Sequence, residues 1–176
     1  MVWIDMEMTG LEPQTDTILE VAIIITDIDL NPIDKGENIV IHHSEDTLKK
    51  MDEWNLTTHT HTGLYRYVLE SNISIQSAEK SLLKYVKKHI TEKTAPVCGN
   101  TVWQDRMFLA NYMPKFNNYM HYRNIDVSTL KELSFKWYPN LPKFQKIERH
   151  SALQDIKESL SELKYYRDNI LKAPIK

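Results

Sequence analysis

The sequence VWIDMEMTG, residues 2–10, decides the fold because it places two carboxylates two residues apart inside an apolar run. In a β-strand, residues i and i+2 point to the same face, so Asp5 and Glu7 stand side by side. Val2, Ile4 and Met6 face the other way. Two like charges this close repel one another unless a cation lies between them, and carboxylate oxygens suit Mg²⁺ or Mn²⁺. The stretch therefore predicts a metal site; the alternative is a strand whose second face is wet and carries two solvated acids.

The composition is typical of a soluble globular protein. Of the 176 residues, 41% are hydrophobic and 26% are charged, and we expect one domain over residues 1–176. The longest apolar run, near residues 18–25, contains Glu20, so no membrane-spanning segment is expected. The single cysteine, Cys98, suits a reducing compartment. The formal net charge of −2 argues against a large basic surface for long nucleic acid, but it allows a short anionic ligand.

Apolar patterns along the rest of the chain predict an α/β fold. Residues 18–30 are typical of a strand buried on both faces, and a third strand near residues 38–42 completes an antiparallel meander. Helical periodicity is expected in residues 44–69, 74–90, 107–113, 128–137 and 150–171, with Ser44, Ser74 and Ser128 as N-caps. Two short strands are expected near residues 95–99 and 124–127. The first strand should lie centrally in a mixed five-stranded sheet flanked by helices, with its carboxylates on an exposed face.

Two further acids and a histidine lie where a metal site on the first strand would need them. Asp105 begins the helix after the fourth strand, Asp155 lies in the opening turns of the last helix, and His150 precedes that helix. Four converging carboxylates are tenable with about two divalent cations, roughly 3.5–4 Å apart, which clamp the attacking and leaving oxygens of a phosphodiester. His150 can then take the proton of the attacking water. Singly, these residues have ordinary alternatives: a helix N-terminal charge, a surface acid and an N-cap neighbour.

Together, the acids and the histidine resemble a known family. Their order is similar to that of the DEDDh branch of 3′-to-5′ exonucleases, which have a ribonuclease H-like fold. Five longer motifs between residues 2 and 167 resemble oligoribonuclease: WIDMEMTGL, MDEWN, CGN-x-x-x-QDR-x-FL, HYRN-x-DVST-x-KEL and H-x-AL-x-DI-x-ES-x-x-EL-x-YYR. The resemblance implies a homodimeric, metal-dependent exoribonuclease that degrades very short RNAs, chiefly dinucleotides, to 5′-mononucleotides.

The resemblance also assigns roles to individual residues. It implies that two cations, Mg²⁺ or Mn²⁺, are held by Asp5, Glu7, Asp105 and Asp155, with His150 as the general base. Leu11 matches a wedge between the two bases, and Trp54 matches an aromatic ring that stacks on a base. The remaining matches are contacts near the scissile end, His59 and Thr101, and a cap on the 5′ phosphate, Tyr122, Arg123, Ser128 and Thr129. Tyr122 would reach the cap across the dimer interface.

Two positions depart from the family pattern, and two other functions stay open. Thr101 and Trp103 stand where a serine and a glycine are expected; the first keeps a hydroxyl, and the second adds a large ring near the pocket. One alternative is a DEDDh exonuclease acting on longer RNA or DNA strands. Such an enzyme would need a row of basic side chains leading from the site, and none is obvious in the sequence. The other is a catalytically silent module that binds dinucleotides, which would not need His150. We expect a bacterial-type cytoplasmic location, or a mitochondrial one if a presequence precedes the chain.

Overall fold

Five strands form one mixed sheet at the centre of the molecule. The computed structural model describes residues 1–145 and 151–171. In it the sheet has the order β3-β2-β1-β4-β5, with β1 antiparallel to β2 and parallel to β4, as the α/β pattern predicts. The first strand is therefore central, as expected. The strands are β1 (Val2–Met8), β2 (Ile18–Ile25), β3 (Glu37–Val40), β4 (Val97–Gly99) and β5 (Asn124–Asp126).

The second strand is buried along its whole length, which confirms that its aliphatic run packs on both faces. It is shorter than predicted, because the run up to residue 30 is interrupted by a turn. Asp27 accepts hydrogen bonds from the backbone amides of Asp29 and Asn31 at 2.9 and 2.8 Å. An aspartate that bonds the backbone two residues on stabilises a turn, so the strand ends at Ile25.

Helices cover both faces of the sheet. They are α1 (Glu45–Leu48), α2 (Glu53–His61), α3 (Leu64–Glu70), α4 (Ile75–Lys87), α5 (Val102–Tyr112), α6 (Pro114–Tyr119), α7 (Val127–Trp137) and α8 (Ala152–Asn169). None of them, within the part of the chain that the structure describes, has the length and apolar content that crossing a membrane requires.

Helix boundaries follow local chemistry, and some differ from the prediction. Ser44 and Ser74 are N-caps, as expected. Gly63, at φ 81°, separates α2 from α3, because only glycine adopts this left-handed conformation without strain. The prediction that Ser128 is an N-cap is wrong, because the side chain of Asp126 caps α7 by accepting a hydrogen bond from the Ser128 amide. Helix α6 was not expected.

The two faces of the central strand pack into separate cores. Val2, Ile4 and Met6 belong to the core under α4 and α5. Trp3, on the face that carries the acids, packs in a second core that includes Ile156 of α8. The prediction that the carboxylates lie on an exposed face is therefore wrong, because α8 covers this face and leaves Asp5 and Glu7 half-buried.

Candidate active site

Three carboxylates meet where α8 begins to cross the central strand. Asp5 and Glu7 project from the same face of β1, and Asp155 lies in the first turn of α8. Ligand oxygens of the three side chains all lie within 4.8 Å of one another. The structure thus brings together two residues that are adjacent in the strand pattern and one that is 148 positions from Glu7 in the chain.

Burial and mutual repulsion make it unfavourable for all three carboxylates to be ionised without a cation between them. Burial, followed by the charges of Asp155 and Glu20, raises the pKa of Glu7 to about 8. A carboxyl whose charged form is this strongly disfavoured binds either a proton or a metal ion near neutral pH. The donors are all oxygen atoms, which hard divalent cations such as Mg²⁺ and Mn²⁺ prefer. The residues of the cluster therefore fit a divalent metal.

Asp105 lies close to this cluster, although it is not one of the three closest acids. It sits in the first turn of α5, where only 6% of its surface is exposed. Burial raises its pKa to about 8, against hydrogen bonds from its own amide and that of Met6, and the charges of Asp126 and Glu7 add to the increase. The structure therefore places all four predicted acids around the end of β1. His150 lies outside the described residues.

A cavity of about 710 Å³ opens beside the end of β1. Leu11 and Trp54, the predicted wedge and stacking ring, both line it and are 72% and 64% exposed. Large apolar side chains presented to solvent at the rim of a cavity suit contact with flat ligand faces such as bases. The other lining residues are Thr9, Gly10, Glu12, Asp16, Lys50, Asp52 and Asn55.

Helix α5 and an internal turn hold the segment that carries Leu11. Gln104, next to Asp105, donates to the Leu11 carbonyl, and Asn111 donates to the Pro13 carbonyl at 2.7 Å. A Cβ on Gly10 would lie 2.5 Å from a carboxylate oxygen of Asp16, so a side chain there would displace the carboxylate that accepts from the Thr9 hydroxyl and the Glu12 amide. The wedge is thus fixed to the same helix turn that supplies Asp105.

His59 is placed differently from the other predicted substrate contacts. Its side chain is buried, and Nε2 lies 3.0 Å from the carbonyl oxygen of Met8. It is not among the residues that line the large cavity. In this geometry His59 contacts the backbone of Met8 at the end of β1, one residue after Glu7.

A second cavity, of about 330 Å³, lies at the carboxyl end of β5. Thr101, Ser128 and Thr129 line it, together with Trp103, whose ring adds the expected bulk to the pocket. Thr101 has the left-handed φ of 54°, and its amide donates to Asp126 at 2.9 Å and to Ser128 Oγ at 3.0 Å. Thr101 therefore groups with the predicted cap residues and not with His59.

Comparison with known proteins identifies the family. Residues 2–163 match the exonuclease family model RNase_T. An oligoribonuclease of Pseudomonas syringae pathovar tomato is 51% identical over 172 residues, which are 98% of this chain and 96% of the relative. An oligoribonuclease of Neisseria meningitidis is 49% identical over 97% of this chain and 92% of the relative. The chain belongs to the oligoribonuclease family.

Solved structures agree with the fold expected for an oligoribonuclease. The zinc-bound form of the Escherichia coli ExoI–ssDNA complex superposes with a TM-score of 0.73 over 96% of this chain, at 14% identity. This chain spans 40% of that larger protein. At this identity the likeness concerns the fold alone, and it confirms the ribonuclease H-like prediction.

Tyr122 and Arg123 are not brought to the second cavity within a single chain. Both precede β5, whereas Ser128 follows it, so the strand separates them by roughly 10 Å at about 3.3 Å per residue. Tyr122 is 74% exposed, stacks on His121 at 4.5 Å between ring centroids, and lies under the Arg123 guanidinium. Neither residue lines the cavity.

Glu20 is a site residue that the sequence pattern did not identify. It lies directly opposite Glu7 in the β1–β2 pair and is buried. One carboxylate oxygen accepts from the Ala152 amide at 3.3 Å and the other from Asn38 at 2.8 Å. Glu20 thus ties the start of α8 to the sheet next to the acid cluster. The available signal in the sequence was a single acid within an otherwise apolar strand.

Proposed function

We propose that this protein is a metal-dependent 3′-to-5′ exoribonuclease that degrades very short RNAs, chiefly dinucleotides, to 5′-mononucleotides. The observation that carries the proposal is an acid cluster, Asp5, Glu7 and Asp155, on the strand whose end leads directly into a cavity lined by Leu11 and Trp54. The names of the relatives, oligoribonucleases at about half identity over nearly the whole chain, support the same activity.

The acids hold the metals, and other side chains position the substrate. Asp5, Glu7 and Asp155, with Asp105 beside them, would bind two divalent cations, Mg²⁺ or Mn²⁺. When bound, such ions stabilise the charge that develops on the scissile phosphate and on the attacking and leaving oxygens. Leu11 and Trp54 would contact base faces, which favours binding without sequence preference. His150 would accept the proton of the attacking water.

The first turn of α5 supports a preference for very short substrates. Thr101, at the start of α5, lines the second cavity, and Gln104 of the same turn holds Leu11 at the first. Three residues of helix rise only about 4.5 Å, so one helix turn contacts the walls of both cavities and also carries Asp105. We propose that a dinucleotide occupies both cavities, with its 5′ phosphate against Thr101, Ser128 and Thr129.

A homodimer would complete the phosphate cap. Tyr122 lies at the far end of β5 from Ser128 and presents its ring to solvent, so it cannot close the pocket of its own chain without rearrangement. A partner chain that brings its Tyr122 over this pocket would supply the missing wall. Aromatic side chains are enriched at interfaces between protein subunits.

A time course on RNA of different lengths tests the proposal. RNAs of about two, three, five and twenty nucleotides, labelled at the 5′ end, are incubated with Mn²⁺ and, separately, with chelator. We expect the dinucleotide to be cleared fastest, with 5′-mononucleotide as product, and the chelator to stop all cleavage. Equal degradation of the longest RNA would instead favour an exonuclease for long strands, and binding without cleavage would favour a silent dinucleotide-binding module.

A further inference from the structure

A chain of hydrogen bonds links the second cavity to helix α8. It starts at Asn100, which follows β4 and whose side-chain amide nitrogen donates to Ser159 Oγ at 2.8 Å and to Glu162 Oε2 at 3.0 Å. On its other side, the amide oxygen of Asn100 accepts from the Ser128 hydroxyl at 3.2 Å. Ser128 in turn accepts from the Thr101 amide at 3.0 Å. This series of hydrogen bonds therefore runs from the buried face of α8 to the wall of the second cavity.

The direction of these bonds is fixed at the buried end. Glu162 is 1% exposed, and its second oxygen accepts from the Tyr166 hydroxyl at 3.1 Å. Burial and the charge of Glu162 raise the pKa of Tyr166 to about 12, so this hydroxyl keeps its proton and donates. A carboxylate can only accept, and it must therefore face the NH₂ group of Asn100. This orients the amide so that its oxygen faces Ser128.

These bond directions determine which hydroxyl in the wall of the second cavity can donate to a ligand. Because the Ser128 proton is directed to Asn100, the Ser128 oxygen offers its lone pairs to Thr101, whose amide and hydroxyl lie at 3.0 and 3.1 Å. In this structure the Thr101 hydroxyl is therefore the donor to Ser128. Of these two hydroxyls, only that of Thr101 can give up its bond and turn its proton toward an anionic ligand, while Ser128 continues to accept from the Thr101 amide. Helix α8 carries Asp155, Ser159, Glu162 and Tyr166 at spacings of four, three and four, which is one helix face.

We propose that Glu162, acting through the side-chain amide of Asn100, is a positioning residue that sets the hydroxyl direction of Ser128 and Thr101 for the 5′ phosphate of the substrate. The inference rests on the proposed function, since it concerns how the same site reads the 5′ end of a dinucleotide. It also couples the pocket to the helix that bears Asp155, because both depend on the same face of α8.

Exchanging the amide and the acid tests this order of donors and acceptors. In N100D, the carboxylates at positions 100 and 162 face each other and repel. In E162Q, the side chain at position 162 has only one oxygen, so either Asn100 or Tyr166 loses its acceptor. In the double variant N100D/E162Q, the new carboxylate at position 100 accepts from Ser128 and from the new amide at position 162. That amide keeps an oxygen for Tyr166, so the original direction at Ser128 is restored.

The readout is the ratio of kcat/KM for a 5′-phosphorylated dinucleotide to that for the same dinucleotide with a 5′ hydroxyl. We expect each single variant to lower this ratio about tenfold and the double variant to restore it to within about threefold of wild type. A merely structural role would lower the melting temperature and both kcat/KM values together. N118D and E92Q, which make the same chemical changes at exposed positions, are the matched controls.

The outcomes separate the inference from the proposed function. If the wild-type protein cleaves neither dinucleotide with Mn²⁺, the proposed function fails. If it cleaves both but the ratio is near one, or unchanged in the single variants, or not restored in the double variant, the positioning role is overturned while the activity stands. Should one single variant fail to fold, the other single variant and the double variant still decide.

Discussion

Glu7 of β1 lies directly opposite Glu20 of β2, on the sheet face that α8 covers. Glu20 is tied to the Ala152 amide and to Asn38, so it cannot turn away from Glu7 without giving up these bonds. The pair concentrates negative charge at a half-buried position, and this is one physical cause of the raised pKa of Glu7.

This relationship predicts how the stability of the metal-free protein depends on pH. The pKa of Glu7 rises from 4.5 to about 8 on folding, so between these values the folded state holds a proton that the unfolded chain releases. The contribution of Glu7 to the free energy of unfolding should therefore be greatest below pH 4.5 and fall as pH rises toward 8, by at most about 1.4 kcal/mol per pH unit per proton. Thermal melts with chelator across this range measure the slope.

Two companion melts isolate the cause. In Glu7→Gln the titrating group is gone, and the slope between pH 5 and 8 should flatten by roughly one proton. Added Mg²⁺ binds the deprotonated carboxylates, so its stabilising effect should grow with pH. A metal-free protein that becomes more stable toward pH 8, or a Glu7→Gln variant with an unchanged slope, would contradict this account.

Removing one acid of the cluster should abolish turnover without unfolding the protein. Asp5→Ala takes one ligand oxygen from the group that lies within 4.8 Å, and we expect kcat/KM on a dinucleotide to fall by about a thousandfold or more. The melting temperature in chelator should stay close to wild type or rise, because the variant also removes repulsion. Asp29→Ala, at an exposed turn, is the control. A folded Asp5→Ala protein with full activity would contradict the metal mechanism.

The walls of the large cavity should determine substrate affinity. Base stacking on an aromatic ring contributes about 1–3 kcal/mol, so Trp54→Ala should raise KM for a dinucleotide by about tenfold or more. Because Trp54 is 64% exposed, the variant loses little core packing and should keep its melting temperature. Trp137→Ala, at an equally exposed indole on α7, is the matched control. An unchanged KM in Trp54→Ala would remove the stacking role.

The sequence predicts the elements whose side chains follow a simple period. Alternation alone predicts that Asp5 and Glu7 lie on one strand face, and the aliphatic run of β2 predicts burial on both faces. Ser44 and Ser74 mark helix starts because a serine before an apolar period has a clear capping role. These features depend on neighbours within a few residues, and such local information is present in any single sequence.

Features that depend on distant contacts were not predictable in the same way. Asp126 takes the capping role expected of Ser128, because its carboxylate also accepts the Thr101 amide from another element. Glu20 looks like an interruption of a strand until its partner Ala152, 132 positions away, is known. The covered face of β1 likewise follows from how α8 packs. The cavities arise from such long-range bonds, which no local period encodes.

The proposed dimer predicts that one impaired variant and one inactive variant restore activity to each other in a mixed dimer. Tyr122→Ala should lower dinucleotide cleavage in its own homodimer, since each pocket then lacks the ring supplied by the partner. Asp5→Ala should be inactive because each site lacks a metal ligand. In a heterodimer of the two, purified through different tags, one site combines an intact acid cluster with an intact Tyr122, and activity should reach about half of wild type.

A matched heterodimer makes this result interpretable. Asp5→Ala paired with Glu7→Ala leaves no site with both acids, because Asp5 and Glu7 lie on the same strand of one chain. This pair should therefore stay inactive under the same conditions. If Tyr122 acts within its own chain, the first heterodimer also stays inactive, because one site lacks Asp5 and the other lacks Tyr122. Since Tyr122 is separated from Ser128 by the length of β5, we expect complementation.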